Sequence, residues 1–302
     1  MSVETAVFHH KAYQQLITKF EPEYGIMWYH MGPKPRPCFN PELLNELKKF
    51  VDSLPYYFKM GQSQEEKGSL RYTVFASKHK GVFNLGGDLE IILRMARDRN
   101  SEGLREYARA CIDVVHSGMV NHDVPVTTIS LVQGDAMGGG FEAALCNNFI
   151  IAEKSARFGF PEILFNLFPG MGAHKLLARR LDPGSVEKMV SNGKIYGAAE
   201  LKEMGLVDVL VEDGEGENAV YRFVREHSKK RNAYQSLLRV RNRIHPISHE
   251  ELIEIADIWV DAAMQLGERD LRLIERLMIA QDKMTSFPSV EDRAGQANYG
   301  SP

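Results

Sequence analysis

Two glutamates, Glu142 and Glu162, each stand just after a glycine-bearing segment, and there the sequence carries the residue types for acid–base chemistry. Three short runs are involved: Asn84-Leu85-Gly86-Gly87-Asp88, Gly138-Gly139-Gly140-Phe141-Glu142 and Phe158-Gly159-Phe160-Pro161-Glu162. Adjacent glycines let a backbone amide approach a ligand with no Cβ in the way, and a helix N-terminus adds unsatisfied N–H groups and a favourable dipole. Two such amides can hold an oxyanion, and two carboxyls of unequal pKa can divide the work of acid and base. Singly, each feature has a plain reading. Paired glycines make tight turns, a carboxylate is welcome in a first helical turn whether or not it reacts, and a glutamate after a proline is usually a solvated surface charge. The combination shifts the weight towards a site.

The elements that must position these residues follow from pattern. Tyr24 to Met31 is aromatic-rich and reads as a first strand, preceded by a polar, mixed stretch from 1 to 22; Pro33, Pro35 and Pro37 then enforce an extended link. A helix opens at Pro41 with Asn40 placed as its cap and runs through Leu43, Leu44, Leu47, Phe50 and Val51. After a solvated stretch at 62–67, a β-rich run at 71–77 leads to the glycine turn at 81–88. Helical spacing then runs from Leu89 towards Met119 through Ile92, Leu104, Tyr107, Cys111 and Val115, interrupted at Asn100-Ser101. Val126 to Val132 is a buried strand turned by Gly134 to Gly140 into a helix, and Phe149 to Ala152 is the next strand. From Asp182 helices dominate, with a short strand at 206–211. Strand, glycine turn and helix in alternation argue for parallel strands joined by crossover helices, an α/β fold.

Composition excludes several classes. With 44% hydrophobic and 25% charged residues and a net charge of −3, the chain has no global footprint for nucleic acid or an anionic membrane. MSVETAVFHH lacks the basic and apolar regions of a secretory signal, and no apolar run is long enough to span a bilayer, so a cytoplasmic location is expected. Cys38, Cys111 and Cys146 are widely separated and read as buried, reduced thiols. His245 and His249 share i, i+4 spacing, but Pro246 spoils the helix and no H-E-x-x-H accompanies them, so no metal is expected. No G-x-S-x-G occurs. His174 and Lys175 read as ordinary surface groups.

The run Gly134 to Leu177, GDAMGGGFEAALCNNFIIAEKSARFGFPEILFNLFPGMGAHKLL, resembles the core of the crotonase (enoyl-CoA hydratase) superfamily, in which a glycine triplet precedes one glutamate and F-G-x-P-E carries the second. The upstream GVFNLGGDLE resembles the other half of that fold's oxyanion hole. The resemblance spans roughly residues 23–287 and implies a crotonase-like ββα superhelix. Its organisation would be an N-terminal extension (1–22), an α/β core (23–211), a C-terminal helical region (212–287) and a tail (288–302). It implies Gly87 and Gly139 as oxyanion donors, flanked by Gly86 and Gly138, and Glu142 and Glu162 as the catalytic carboxyls. Met137, Leu164, Met171, Trp259 and Leu277 are the candidates to line an acyl pocket, each also readable as plain core.

The N-terminal part, the FNLGGDL turn and the ending SVEDRAGQANYG are similar to one branch, the synthases of diffusible signal factors, which are cis-2-unsaturated fatty acid signals. That branch implies dehydration of a 3-hydroxyacyl chain on acyl carrier protein, then hydrolysis of the thioester, with no cofactor beyond the carrier. Enolate formation on the thioester would be stabilised by about 3 kcal/mol per amide donor. Which glutamate is base at C2 and which is acid is open; the assignment taken is Glu162 as base and Glu142 as acid. A CoA-dependent enoyl hydratase or isomerase is the alternative within the fold, and a non-catalytic partner of a sensor receiver domain the alternative outside it. Lys229-Lys230-Arg231 with Arg239, Arg241 and Arg243 would suit an acidic carrier protein, or form a solvated helix face. A homo-oligomer, trimer or dimer of trimers, is what the resemblance implies.

Overall fold

The computed structural model describes residues 13–62 and 68–285. The loop expected at 62–67 falls almost wholly outside these residues, as do the first twelve residues and the ending that resembles the signal-synthase branch.

A hairpin opens the described chain: β1 (Leu16–Glu21) pairs antiparallel with β2 (Ile26–Met31), Leu16 opposite Met31. After helix α1 (Pro41–Gln62), the path repeats a strand in a large sheet, a strand in a small sheet, then helix. The first unit is β3 (Tyr72–Ser77), β4 (Gly81–Asn84), α2 (Leu89–Arg97) and α3 (Ser101–Met119). The second is β5 (Thr127–Val132), β6 (Gly134–Met137) and α4 (Gly139–Leu145). The third is β7 (Phe149–Glu153), β8 (Arg157–Gly159), a 3-10 turn at Pro161–Phe165, α5 (Ala173–Leu177) and α6 (Pro183–Ser191). Then β9 (Ile195–Gly197), α7 (Ala198–Glu203) and β10 (Val209–Val211) close the two sheets, whose orders are β1-β2-β3-β5-β7-β10 and β4-β6-β8-β9. Helices α8 (Gly216–Ser228), α9 (Arg231–Ile244), α10 (His249–Met264) and α11 (Glu268–Thr285) complete the fold. This is the strand–strand–helix spiral with a helical C-terminal region that the sequence implied.

Pairing from β2 through β10 in the large sheet is parallel, and both of its faces are covered. Every residue of β2 and of β5 is buried. Ile26, Trp28, Tyr72, Val74, Ile129 and Leu131 pack outward under Ala219, Val220 and Val224 of α8. Met27, Tyr29, Met31 and Phe75 point the other way, into the main core with α1, α3 and α10. Asn40 caps its helix as expected, its Oδ1 accepting from Leu43 N (2.8 Å), and the interruption at Asn100-Ser101 is a second helix start, where Asn100 Oδ1 accepts from Gly103 N (2.9 Å) between α2 and α3. At α10 a capping box joins Ser248 and Glu251.

Two readings change. The polar stretch before Tyr24 contains the edge strand β1, whose register is pinned where the Glu46 carboxylate accepts from Gln14 N and Gln15 N at 2.6 and 2.8 Å. The runs read as glycine turns at 81–88 and 134–140 contain β4 and β6, so the second sheet was hidden inside them. Among the described residues no helix is long and apolar enough to cross a membrane.

Candidate active site

β4 ends at Asn84, and its side chain shapes the turn that follows: Asn84 Oδ1 accepts from Gly86 N at 2.7 Å. Gly86 has φ +92, and a Cβ there would lie 2.8 Å from Met137 O, so only glycine fits both the conformation and the space. Gly87 forms a parallel bridge with Phe39, and Phe39 N donates to Gly86 O at 2.8 Å. In that register Gly87's own amide faces away from Phe39. It faces α4: a Cβ built on Gly139 would lie 3.6 Å from Gly87 N. Gly139 N is the first amide of α4 and has no intrahelical acceptor. Among the described residues neither amide donates a hydrogen bond.

The next helical turn presents Glu142, 1% exposed. Its Oε1 accepts from Met171 N (2.8 Å) and Ala173 N (2.9 Å), so the Gly170-Met171-Gly172 turn and the start of α5 grip the carboxylate. That turn is held from outside by α10: a Cβ on Gly170 would meet Trp259 Cγ at 2.5 Å, and one on Gly172 would meet Leu252 at 2.6 Å. Helix α4 is pinned to β8 by aromatic packing, Phe141 stacking on Phe160 with centroids 4.8 Å apart and leaning on Phe158 at 5.2 Å.

Phe160 leads directly into Pro161-Glu162. The Glu162 carboxyl lies over Gly138, whose φ of +52 and lack of a side chain leave room for Oε1; any Cβ there would overlap it. Oε2 of Glu162 is buried and has no hydrogen-bond partner among the described residues. The two carboxyls therefore differ in proton affinity. Burial pushes Glu142 up to about 7, opposed by its two amide donors. Burial, with the charge of Glu142 added, pushes Glu162 up to about 8. Two amide donors favour the carboxylate on Glu142, whereas Glu162, with no donor to Oε2 among the described residues, holds its proton the more tightly.

One cavity of about 310 Å³ joins these groups. Gly86, Gly87, Met137, Gly138, Gly139, Glu142, Glu162, Met171, Trp259 and Leu277 all line it. Leu164 does not, and its place in the acyl pocket is corrected: it is 59% exposed and packs on Gly193, because the 3-10 turn that aims Glu162 inward aims Leu164 out. Residues read only as helical spacing or as strand supply the rest of the wall. Beside the Gly86-Gly87 turn the cavity is also lined by Tyr107, Cys111, Val115 and Gly118 of α3 and by Tyr29, Phe75 and His122. His122 sits among three consecutive residues with φ near +55, and its nitrogens are occupied by Ser117 Oγ (3.0 Å) and Thr73 Oγ1 (3.4 Å). Burial drops its pKa to about 4. A neutral, already partnered ring thus lines this part of the cavity and offers little to a polar group. At the other end Asp135 and Arg157 form a two-pronged pair at 2.9 and 2.6 Å on the cavity lip. Elsewhere, His249 pairs with Asp113 at 2.7 Å, away from this cavity.

Comparison with known proteins agrees with this geometry. The sequence model of the enoyl-CoA hydratase/isomerase family matches residues 37–255. A mitochondrial methylglutaconyl-CoA hydratase 1 of Pyricularia oryzae is 28% identical over 199 residues, 60% of this chain and 54% of that protein, so the chain spans about half the length of this relative. Among solved structures, an enoyl-CoA hydratase from Bacillus halodurans superposes with TM-score 0.71 at 20% identity, covering 87% of this chain and 100% of the other. DspI of Pseudomonas aeruginosa superposes with TM-score 0.65 at 19% identity, covering 89% and 97%. With the family pattern extending over most of the chain and the fold shared throughout, the protein belongs to the enoyl-CoA hydratase/isomerase family of the crotonase superfamily.

Proposed function

We propose that the protein adds water to, or removes it from, the C2–C3 bond of a long-chain fatty acyl thioester. The observation that carries this is the pair of buried carboxyls with unequal proton affinity facing two undonated amides, Gly87 N–H and Gly139 N–H. The thioester oxygen would sit between the amides, where charge develops as C2 gains or loses a proton. In the hydration direction Glu142, the stronger acid, is the carboxylate that orients and deprotonates water for attack at C3, and Glu162 delivers its proton to C2. In dehydration the same groups run in reverse, Glu162 taking the C2 proton and Glu142 protonating the departing hydroxyl. No cofactor is needed beyond the thioester carrier, CoA or acyl carrier protein.

The lining along α3 supports a long acyl chain. Tyr107 to Gly118 spans eleven residues of α3, about 16 Å at 1.5 Å per residue. A zigzag of ~1.5 Å bonds advances about 1.25 Å per carbon, giving roughly a dozen carbons beyond the thioester.

A narrower second reading is synthesis of a cis-2-unsaturated fatty acid signal: dehydration of a 3-hydroxyacyl carrier protein followed by hydrolysis, with Glu142 orienting the water for the second step. The apolar lining along α3 and the FNLGGDL turn favour it. The hydratase named in the matched relative favours CoA hydration. Incubation with long-chain 3-hydroxyacyl-CoA and 3-hydroxyacyl carrier protein, read by mass spectrometry, separates the two. Free enoic acid from the carrier-bound substrate supports the synthase. Interconverted thioesters alone leave the hydratase and sink the synthase, and no reaction with either carrier sinks both.

A further inference from the structure

Tyr107 lies in the middle of α3's buried face, at the spacing of an ordinary core residue, yet its hydroxyl is built into the oxyanion turn. The bridge between Phe39 and Gly87 has one direct rung, Phe39 N to Gly86 O at 2.8 Å, and Leu85 N donates to Pro37 O one step earlier, also at 2.8 Å. In a parallel ladder the next rung would run from Asp88 N–H to Phe39 C=O. Here that rung is relayed: Asp88 N donates to Tyr107 Oη at 2.8 Å, and Tyr107 Oη donates to Phe39 O at 2.6 Å. The hydroxyl is wedged into the ladder beside Gly87, and a Cβ on Gly87 would meet it at 3.3 Å.

Two consequences follow for the Gly87 amide. The wedge turns the Gly87–Asp88 peptide off the straight ladder while leaving no buried group unpaired, since Asp88 N–H and Phe39 C=O each keep a partner. It also fixes the turn from both sides of Gly87, with Asn84 Oδ1 holding Gly86 N and Tyr107 Oη holding Asp88 N. The hydroxyl's one proton is committed to Phe39 O, so it is not itself a donor to substrate.

We propose that Tyr107 is a positioning residue that aims the Gly87 N–H at the thioester oxygen by replacing one rung of the Phe39–Gly87 ladder with its hydroxyl. This rests on the reading of Gly87 as an oxyanion donor.

The test is Tyr107→Phe, which keeps the ring and deletes the relay. We expect turnover to fall about ten- to a hundred-fold with KM little changed, since losing a whole donor costs ~10²–10³ and misplacing one costs less. The decisive readout is the carbonyl stretch of a bound enoyl-CoA labelled with carbon-13 at C1, taken by difference infrared in a Glu162→Gln background to prevent turnover. The red shift seen with Tyr107 present should shrink when Tyr107→Phe is added. A folded variant with an unchanged carbonyl shift overturns the proposal, even if turnover falls, because a merely structural role leaves that signal alone. If Tyr107→Phe does not fold, 4-aminophenylalanine at position 107 keeps a donor to Phe39 and a weaker acceptor for Asp88, and the same shift decides. Absence of any red shift in the Glu162→Gln protein itself would instead remove the oxyanion reading on which the proposal stands.

Discussion

Glu162→Gln should make the protein more stable in base while stopping its chemistry. The Glu162 carboxyl is neutral when protonated and little different in size from an amide, so at about pH 4, where it is protonated in the folded chain and largely so in the unfolded one, the two proteins should unfold at nearly the same urea concentration. Burial and the neighbouring Glu142 raise its pKa from 4.5 to about 8. A raised pKa means the folded chain holds a proton that the unfolded chain has released, so stability falls as pH climbs from about 4.5 through about 8. At ~1.4 kcal/mol per pH unit, a shift of roughly 3.5 units corresponds to on the order of 5 kcal/mol, fully lost only above the folded pKa. The variant escapes most of that loss, and removal of the neighbouring charge also eases ionisation of Glu142.

The assay is urea unfolding by circular dichroism at half-unit steps from about pH 4 to 9, wild type against Glu162→Gln. The curves should separate steadily above about pH 4.5, level off above about pH 8 and differ by about 2–4 kcal/mol at pH 9, the lower end allowing for water entering around the ionised group. The buried histidines His30, His122 and His227, held near 4 by desolvation, act in the opposite direction and at lower pH, and being common to both proteins they cancel. A difference that stays constant across the range would show that Glu162 ionises as freely as a surface glutamate and would refute the buried-pair account. Glu142→Gln should gain less, because its carboxylate is already held by Met171 N–H and Ala173 N–H.

Gly139→Ala should fold, since the new Cβ meets only ordinary contacts at 3.5 Å and beyond, but it stands over the Gly87 amide and should lower kcat ~10²-fold or more in a steady-state assay. Val115→Phe should fill the cavity beside α3, cutting kcat/KM for dodecanoyl-length substrates at least about tenfold while sparing four- to six-carbon thioesters; each CH₂ seated there is worth ~0.8 kcal/mol, and equal losses at all lengths would remove this part of the cavity as the acyl site. Trp259→Ala should cost about 3–5 kcal/mol by urea unfolding and depress kcat as well, since the indole backs the Gly170 turn that holds Glu142. Leu164→Ala, on an exposed side chain, should leave kcat/KM within about twofold and stability within ~0.5 kcal/mol.

The residues that do local work were legible in the sequence. Asn40 announces a helix start because a cap and its amide lie three residues apart, and Asn100-Ser101 marks the break between α2 and α3. Gly139 and Glu142 announce themselves because an open first-turn amide and an acid one turn on are set by a single helix. Where proximity in space exceeds proximity in sequence, the signal fades. Strands of four residues containing glycine, such as Gly134–Met137, carry too little alternation to be told from turns, and only pairing with β4 and β8 makes them strands. Leu164 was misplaced because adjacency to Glu162 says nothing about direction on a 3-10 turn. Tyr107 shares its helical face with Cys111 and Val115, and nothing near it in sequence marks a hydroxyl whose partners are Asp88 and Phe39.

The same division runs through the chemistry. The proposal that Glu142 and Glu162 are the acids rests on local signals, motifs a few residues long. How strongly each holds its proton does not: Glu142 is made the stronger acid by amides 29 and 31 residues away, and those amides stay in place because Trp259 and Leu252 press on the glycines beside them from α10. Glu162 keeps its proton because β8 and the glycine at 138 bury it without a donor for Oε2. An insertion that loosened α10 would leave both motifs intact in the sequence and still erase the difference in proton affinity on which acid and base depend. A chain carrying both glutamates is therefore assignable to the family by its motifs, whereas the direction in which it moves a proton is a property of the whole fold.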